Sequence, residues 1–148
     1  MIRAGVMGIA ALIGGCSPGP DVETTAIAAA ALTELARTLP GQRLCTEREV
    51  VPWTPTDEIN RIDPPPPPGF APLLTSGRAR GGGALIGDTV GTVPIRNGAD
   101  CFDLRGPLVI DDRAMMEVHL PGIGWNAWMM RRNDRWVVVM VTSSVYPG

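Results

Sequence analysis

Lysine is absent from this chain: all thirteen basic residues are arginine. That absence removes the phosphate-gripping lysine of P-loop sites, lysine Schiff-base chemistry and every serine–lysine hydrolase. Histidine is nearly absent as well, with His119 the only imidazole. One histidine and a few scattered cysteines make a poor zinc ligand set, so no metal is expected. Neither charge is in large excess, since thirteen basic and fifteen acidic residues leave a net charge of −2. A general nucleic-acid binder needs a basic face to displace counterions, and nucleic acid is therefore not an expected partner. No motif implies a cofactor.

What is present starts at the N-terminus. Arg3 is the only charge before Asp21, and it precedes a run of apolar and small residues from Ala4 to Gly15. Twelve residues of helix span roughly 18 Å, well short of a ~30 Å hydrocarbon core, which disfavours a stable transmembrane helix. A positive start, a short apolar stretch and small residues before a cut describe an export signal. Ile13-Gly14-Gly15-Cys16 resembles the lipobox of bacterial lipoprotein precursors: aliphatic, small, small, cysteine. The resemblance implies that residues 1–15 are a signal peptide. It also implies that Cys16 receives a thioether-linked diacylglycerol and becomes the acylated N-terminus. Several acyl chains, at about 0.8 kcal/mol per buried methylene, anchor firmly where one chain does not. The expected location is the bacterial cell envelope, lipid-anchored and facing the periplasm or the exterior, with the membrane as partner through Cys16 and an envelope protein as a further candidate.

Removing fifteen of 148 residues leaves 133, enough for one domain with a modest core. With Cys16 acylated, Cys45 and Cys101 remain, and two cysteines in an exported protein read as one disulfide. A reactive thiol pair and a metal site are the alternatives. The expected organisation is a signal peptide (1–15), a tether (16–20) and a single domain (21–148) carrying a Pro/Gly-rich insertion at about 52–83.

Within that domain, Asp21 is a candidate N-cap, and Ala28, Leu32, Leu35 and Leu39 recur at helical spacing until Leu39-Pro40-Gly41 ends the run. Gln42 to Pro52, which contains Cys45, reads as a short strand or extended segment, and an irregular turn follows Trp53. The five prolines Pro64 to Pro68 favour a stiff polyproline II spacer of roughly 15 Å. This run is either a ligand for an aromatic groove or a rigid connection, the latter preferred. Ser76 to Gly83, with two arginines among glycines, lacks the third glycine and the following helix of a dinucleotide fingerprint and reads as a loop. From Ala84 the chain turns to short β-prone pieces. Cys101 to Leu104 is extended up to a break at Gly106-Pro107, and Leu108 to Ile110 resumes it. Met115 to Leu120 alternates, with Met116, Val118 and Leu120 on one face and Met115, Glu117 and His119 on the other. Trp125 to Arg131 and Trp136 to Thr142 flank a tight turn at Arg132-Asn133-Asp134-Arg135. Apolar on both faces, Trp136 to Val141 reads as an interior strand covered on both sides. The fold class is α+β: one N-terminal helix packed on an antiparallel sheet of about four to six strands ending in a meander. The closing hairpin resembles those of cystatin-like and NTF2-like domains, a likeness that transfers no active-site residue.

Candidates for chemistry are few. His119 beside Glu117 is a base that a carboxylate can orient, on a strand face expected to be solvated or partly covered. No nucleophile motif accompanies the pair, and Ser143 and Ser144 stand near the chain's end. Asp111 and Asp112 are neighbours in a turn, where side chains point apart, so they read as turn residues rather than a paired acid. Trp125 and Trp128, three apart on a strand, fall on opposite faces, and whichever is exposed is a candidate ligand platform. The sequence thus points to a non-catalytic binding or accessory module, with Trp125, Trp128 and His119 as candidate ligand-binding residues. The alternative is a small enzyme of cystatin-like or NTF2-like fold using His119 with Glu117.

Overall fold

The apolar repeat of the first segment becomes α1 (Pro20–Thr38), the element that covers one face of the main sheet. The computed structural model describes residues 20–52, 62–76, 78–79, 83–120 and 123–145. Cys16, the leader, the tether up to Gly19 and Trp53 lie outside the described residues. Proline suits the first helical position because its missing N–H has no partner there anyway. Ile27, Ala28, Ala31, Leu32 and Leu35 form the buried stripe, each at most 1% exposed. Gly41, at φ 83°, adopts the left-handed conformation common just past a helix end. In the last turn Arg37 is hydrogen-bonded to Glu34, and this holds the Glu34 carboxyl below its usual range. Stability from that pair is present above the ordinary carboxylate pKa and fades as pH falls through the lowered one, but so exposed a pair contributes little.

Short extended pieces come next in the chain: β1 (Glu49–Val50), β2 (Ile62–Asp63), α2 (Ala71–Ser76), β3 (Arg78–Ala79), β4 (Gly83–Ala84), β5 (Thr89–Val90) and β6 (Val93–Pro94). Four long strands then make a continuous antiparallel meander: β7 (Asp103–Ile110), β8 (Arg113–Leu120), β9 (Ile123–Arg132) and β10 (Arg135–Val145). The short β2 and β3 pair with its two edges, giving the order β2-β10-β9-β8-β7-β3. The α+β class with one main helix and antiparallel sheets is as the sequence indicates, and the long strands, four in number, sit at the low end of the expected range. Turn chemistry fixes the hairpins. Asn133 and Asp134, at φ 50° and 60°, form the left-handed pair of a type I′ turn, and Asp111 at φ 50° turns β7 into β8.

Two bulges shape the meander. In β7, register shifts between Arg105 and Leu108, so Gly106 and cis Pro107 together face Met116 and the strand runs through the expected break. Gly106 has φ 112°, a region L side chains avoid. In β10, register shifts at Val139. Each bulge reverses the inside–outside phase of the residues beyond it. The apolar run from Trp136 is therefore not covered on both sides. Trp136 and Val138 pack against the α1 side and Met140 against the opposite side, while Val137 and Val139 are 41% and 38% exposed.

The stretch expected to be an irregular insertion contributes a second core. Phe70 and Leu73 close over Leu108, Met115 and Trp128 on the face opposite α1, with Phe70 edge-on to Trp128 at 6.0 Å. Arg113 fastens this cover by donating to the Gly69 carbonyl and stacking 5.3 Å above the Phe70 ring. The prolines lead into it: the Phe70 amide donates to the Pro67 carbonyl.

Cys45 and Cys101 are disulfide-bonded across 56 positions. The bond ties the segment after α1 to the start of β7, where Phe102 N donates to Cys45 O at 2.8 Å and Glu47 N to Phe102 O at 3.0 Å. Closing a loop of 56 residues stabilises by up to about 4 kcal/mol in the chain-entropy model. The double variant C45A/C101A should therefore unfold at markedly lower denaturant, with a loss on the order of 4 kcal/mol at most. An unchanged midpoint would show that the crosslink constrains nothing.

Candidate functional site

The face of the meander away from α1 divides in two. Its apolar half is the row Leu108, Met115, Trp128 and Met140, paired strand to strand beneath α2. Its other half is polar, and two rows cross all four long strands. The first runs Arg105–Glu117–Asn126–Thr142, and the second Asp103–His119–Gly124–Ser144. The bulge at Gly106-Pro107 puts Arg105 on this face together with Leu108, and the bulge at Val139 does the same for Thr142.

Glu117 is the centre of the arrangement. It is fully buried, so the face expected to be solvated or partly covered is closed at Glu117 and partly covered at His119. A Cβ built on Gly124 would stand 2.8 to 3.1 Å from the Glu117 carboxylate, so the carboxylate occupies the space that a side chain at 124 would fill. Its Oε1 lies 3.3 Å from His119 Nδ1 and 3.7 Å from Arg105 Nη1. Taking a carboxylate out of water costs several kcal/mol, and two flanking cationic or hydrogen-bonding groups offset much of that. Asn126, also fully buried, donates through Nδ2 to Ser144 Oγ at 2.6 Å. Trp128 Nε1 donates to Thr142 Oγ1 at 2.7 Å, which satisfies the buried indole. The Asn126 Oδ1 has no hydrogen-bond partner among the described residues.

His119 stands at the boundary of the buried rows, its side chain 21% exposed. It lines a cleft of about 430 Å³ together with Ala99 to Asp103. An imidazole whose Nδ1 faces a buried carboxylate is fixed in orientation, the arrangement used to position a general base. Among the described residues no nucleophile is brought to it. Ser144 shares its row, but the Glu117 carboxylate lies over the intervening Gly124 and the Ser144 oxygen is engaged by Asn126. Among the described residues no group of three histidine, cysteine or acidic side chains converges to hold a metal.

The structure thus brings His119 and Glu117 together as the sequence suggests. It separates the two tryptophans onto opposite faces. Trp128 is fully buried under Phe70, and Trp125 is half-buried against the α1-side core, so neither offers an open stacking surface. Asp111 and Asp112 are exposed in the β7–β8 turn. Sequence reasoning did not find Arg105, Asn126 or Thr142. No family model matches the chain, and no match was found among the curated proteins or the solved structures.

Replacing Glu117 by alanine removes the carboxylate that faces Arg105 and His119. The expected loss is about 3 kcal/mol by denaturant unfolding, the low end for a buried pair because both partners keep some solvent. Gly124→Ala should cost roughly 1–3 kcal/mol by displacing the same carboxylate. A neutral result for both variants would mean that the carboxylate is not seated as described.

Proposed function

We propose that the chain is a lipid-anchored accessory module of the bacterial cell envelope, held by acylated Cys16 and acting through binding. The observation that carries this reading is the Cys45–Cys101 bond. Disulfides persist in oxidising compartments and are rare in the cytosol, so the crosslink supports the export that the leader implies. A binding role is favoured over catalysis because, among the described residues, the oriented imidazole has no nucleophile beside it. Fatty-acid labelling in the native host should tag the wild-type chain and leave Cys16→Ser unlabelled, and thiol counting on the labelled chain should find no free cysteine. A labelled Cys16→Ser variant, or reactive thiols at 45 and 101 in cells, would refute the proposal.

A second reading is supported by one contact, the 3.3 Å approach of Glu117 to His119 Nδ1. On this reading His119 is a general base facing the 430 Å³ cleft, oriented by Glu117. An ionised carboxylate at that position selects the tautomer with hydrogen on Nδ1. Long-range nitrogen–proton NMR spectra should therefore show the Nδ1–H form near neutral pH and its loss in Glu117→Gln. Tautomers mixed as in free imidazole, unaffected by Glu117→Gln, would rule the reading out.

A further inference from the structure

A cleft of about 370 Å³ lies beyond the C-terminal half of α1, remote in sequence from the polar rows. Its walls are Gln42, Arg43 and Leu44 on one side and Val93, Pro94 and Arg96 on the other. The two walls are tied to each other. Thr46 N donates to Pro94 O at 3.0 Å, Arg96 N donates to Thr46 O at 2.9 Å, and the adjacent Cys45 is crosslinked to Cys101. Val93 is buried at 2% exposure and forms an apolar floor with Leu44 and Pro94.

The charges on these walls are unbalanced. Arg43 and Arg96 are both exposed, and neither has an ion-pair or side-chain hydrogen-bond partner among the described residues. The nearby acid on α1, Glu34, is engaged by Arg37. Two guanidiniums lining one cleft repel each other, and a planar, multi-donor pair of this kind matches a carboxylate or phosphate in geometry as well as in charge. The amide of Gln42 adds a neutral donor, and the apolar floor adds a surface that a bare ion cannot use. The volume falls at the small end of the range for ligand clefts.

We infer that this cleft binds a small organic anion, one carboxylate or phosphate group on an apolar body, with Arg43 and Arg96 on the anion and Leu44, Val93 and Pro94 against the body. The inference names a ligand class for the binding role proposed above but does not depend on acylation of Cys16. Failure of the labelling experiment leaves it standing, and its own failure leaves the anchor standing.

The test is calorimetric titration of the full-length chain with octanoate, octyl phosphate, octylammonium and inorganic phosphate, with NMR of the arginine Nε–H groups. Octanoate or octyl phosphate should bind, and the tighter of the two identifies the head group. Both should shift the Arg43 and Arg96 Nε–H signals and the methyl signals of Leu44 and Val93. Inorganic phosphate should bind at least about tenfold more weakly, because it leaves the floor unused. R43Q and R96Q should each weaken octanoate or octyl phosphate by about tenfold, and the double variant should abolish binding with an unchanged unfolding curve. Binding of octylammonium as tight as octanoate, binding that survives the double variant, or no binding by either organic anion would overturn the inference. Inorganic phosphate binding as tightly as the organic anions would remove the apolar half of it.

Discussion

A buried carboxylate sets the terms for this domain. Glu117 is fully buried on an inner strand of the sheet, and its carboxylate has to be answered from within the sheet. The answer comes from three neighbouring strands: Arg105 on β7, His119 on β8 itself, and the missing side chain of Gly124 on β9. None of these is close enough in sequence to Glu117, apart from His119, to be placed there by local structure. Cross-strand register delivers them, and a one-residue slip in either neighbouring strand would turn Arg105 or Gly124 to the wrong face. The polar rows therefore depend on the bulge and turns that fix that register, and they in turn add a reason for the sheet to adopt one pairing rather than another.

Packing on the two faces divides the remaining work. The α1 face supplies the larger core, with the stripe from Ile27 to Leu35 against Val118, Met116, Ala127 and Met129. The opposite face is apolar only where Phe70 and Leu73 cover it. That cover is short, and its placement depends on stiff and specific links: the prolines before it, the Arg113 donor to Gly69 and the ring contacts of Phe70. Beyond it the face turns polar over the width of four strands. His119 marks the line between this buried polarity and the cleft beside Asp103. A sheet built only for stability has little use for such rows, because well-packed apolar residues of similar volume are as good or better.

Much of this was legible in the sequence, and the parts that were not have a common cause. Helix α1, the alternation of Met115 to His119, the turn at Asn133-Asp134 and the Cys45–Cys101 pairing all rest on local patterns or on elimination. The stretch Pro121-Gly122-Ile123-Gly124 reads as a break in the sequence, but β9 begins at Ile123, and counting from the Leu120–Ile123 pair sets Asn126 opposite Glu117. For the other two long pairs the same reasoning misses by one. Counting from the β7–β8 turn puts Gly106 opposite Glu117, and counting from the β9–β10 turn puts Val141 opposite Asn126, whereas Arg105 and Thr142 are found there. The bulges at Gly106-Pro107 and Val139 account for both displacements. Gly106-Pro107 announced itself as a break rather than a bulge, and in the valine run nothing distinguishes the extra residue. Helix α2 was hidden by its setting, six residues between a proline run and a glycine-rich loop, too short for periodicity to register.

The central claim is that Glu117 and His119 act as one unit inside the sheet. A double-mutant cycle with Glu117→Gln, His119→Gln and the double variant, followed by denaturant unfolding, measures that directly. Contact at 3.3 Å in a buried setting predicts a coupling energy of roughly 1–3 kcal/mol. Effects that add to within about 0.5 kcal/mol would contradict it and reduce the two polar rows to neighbours that do not interact.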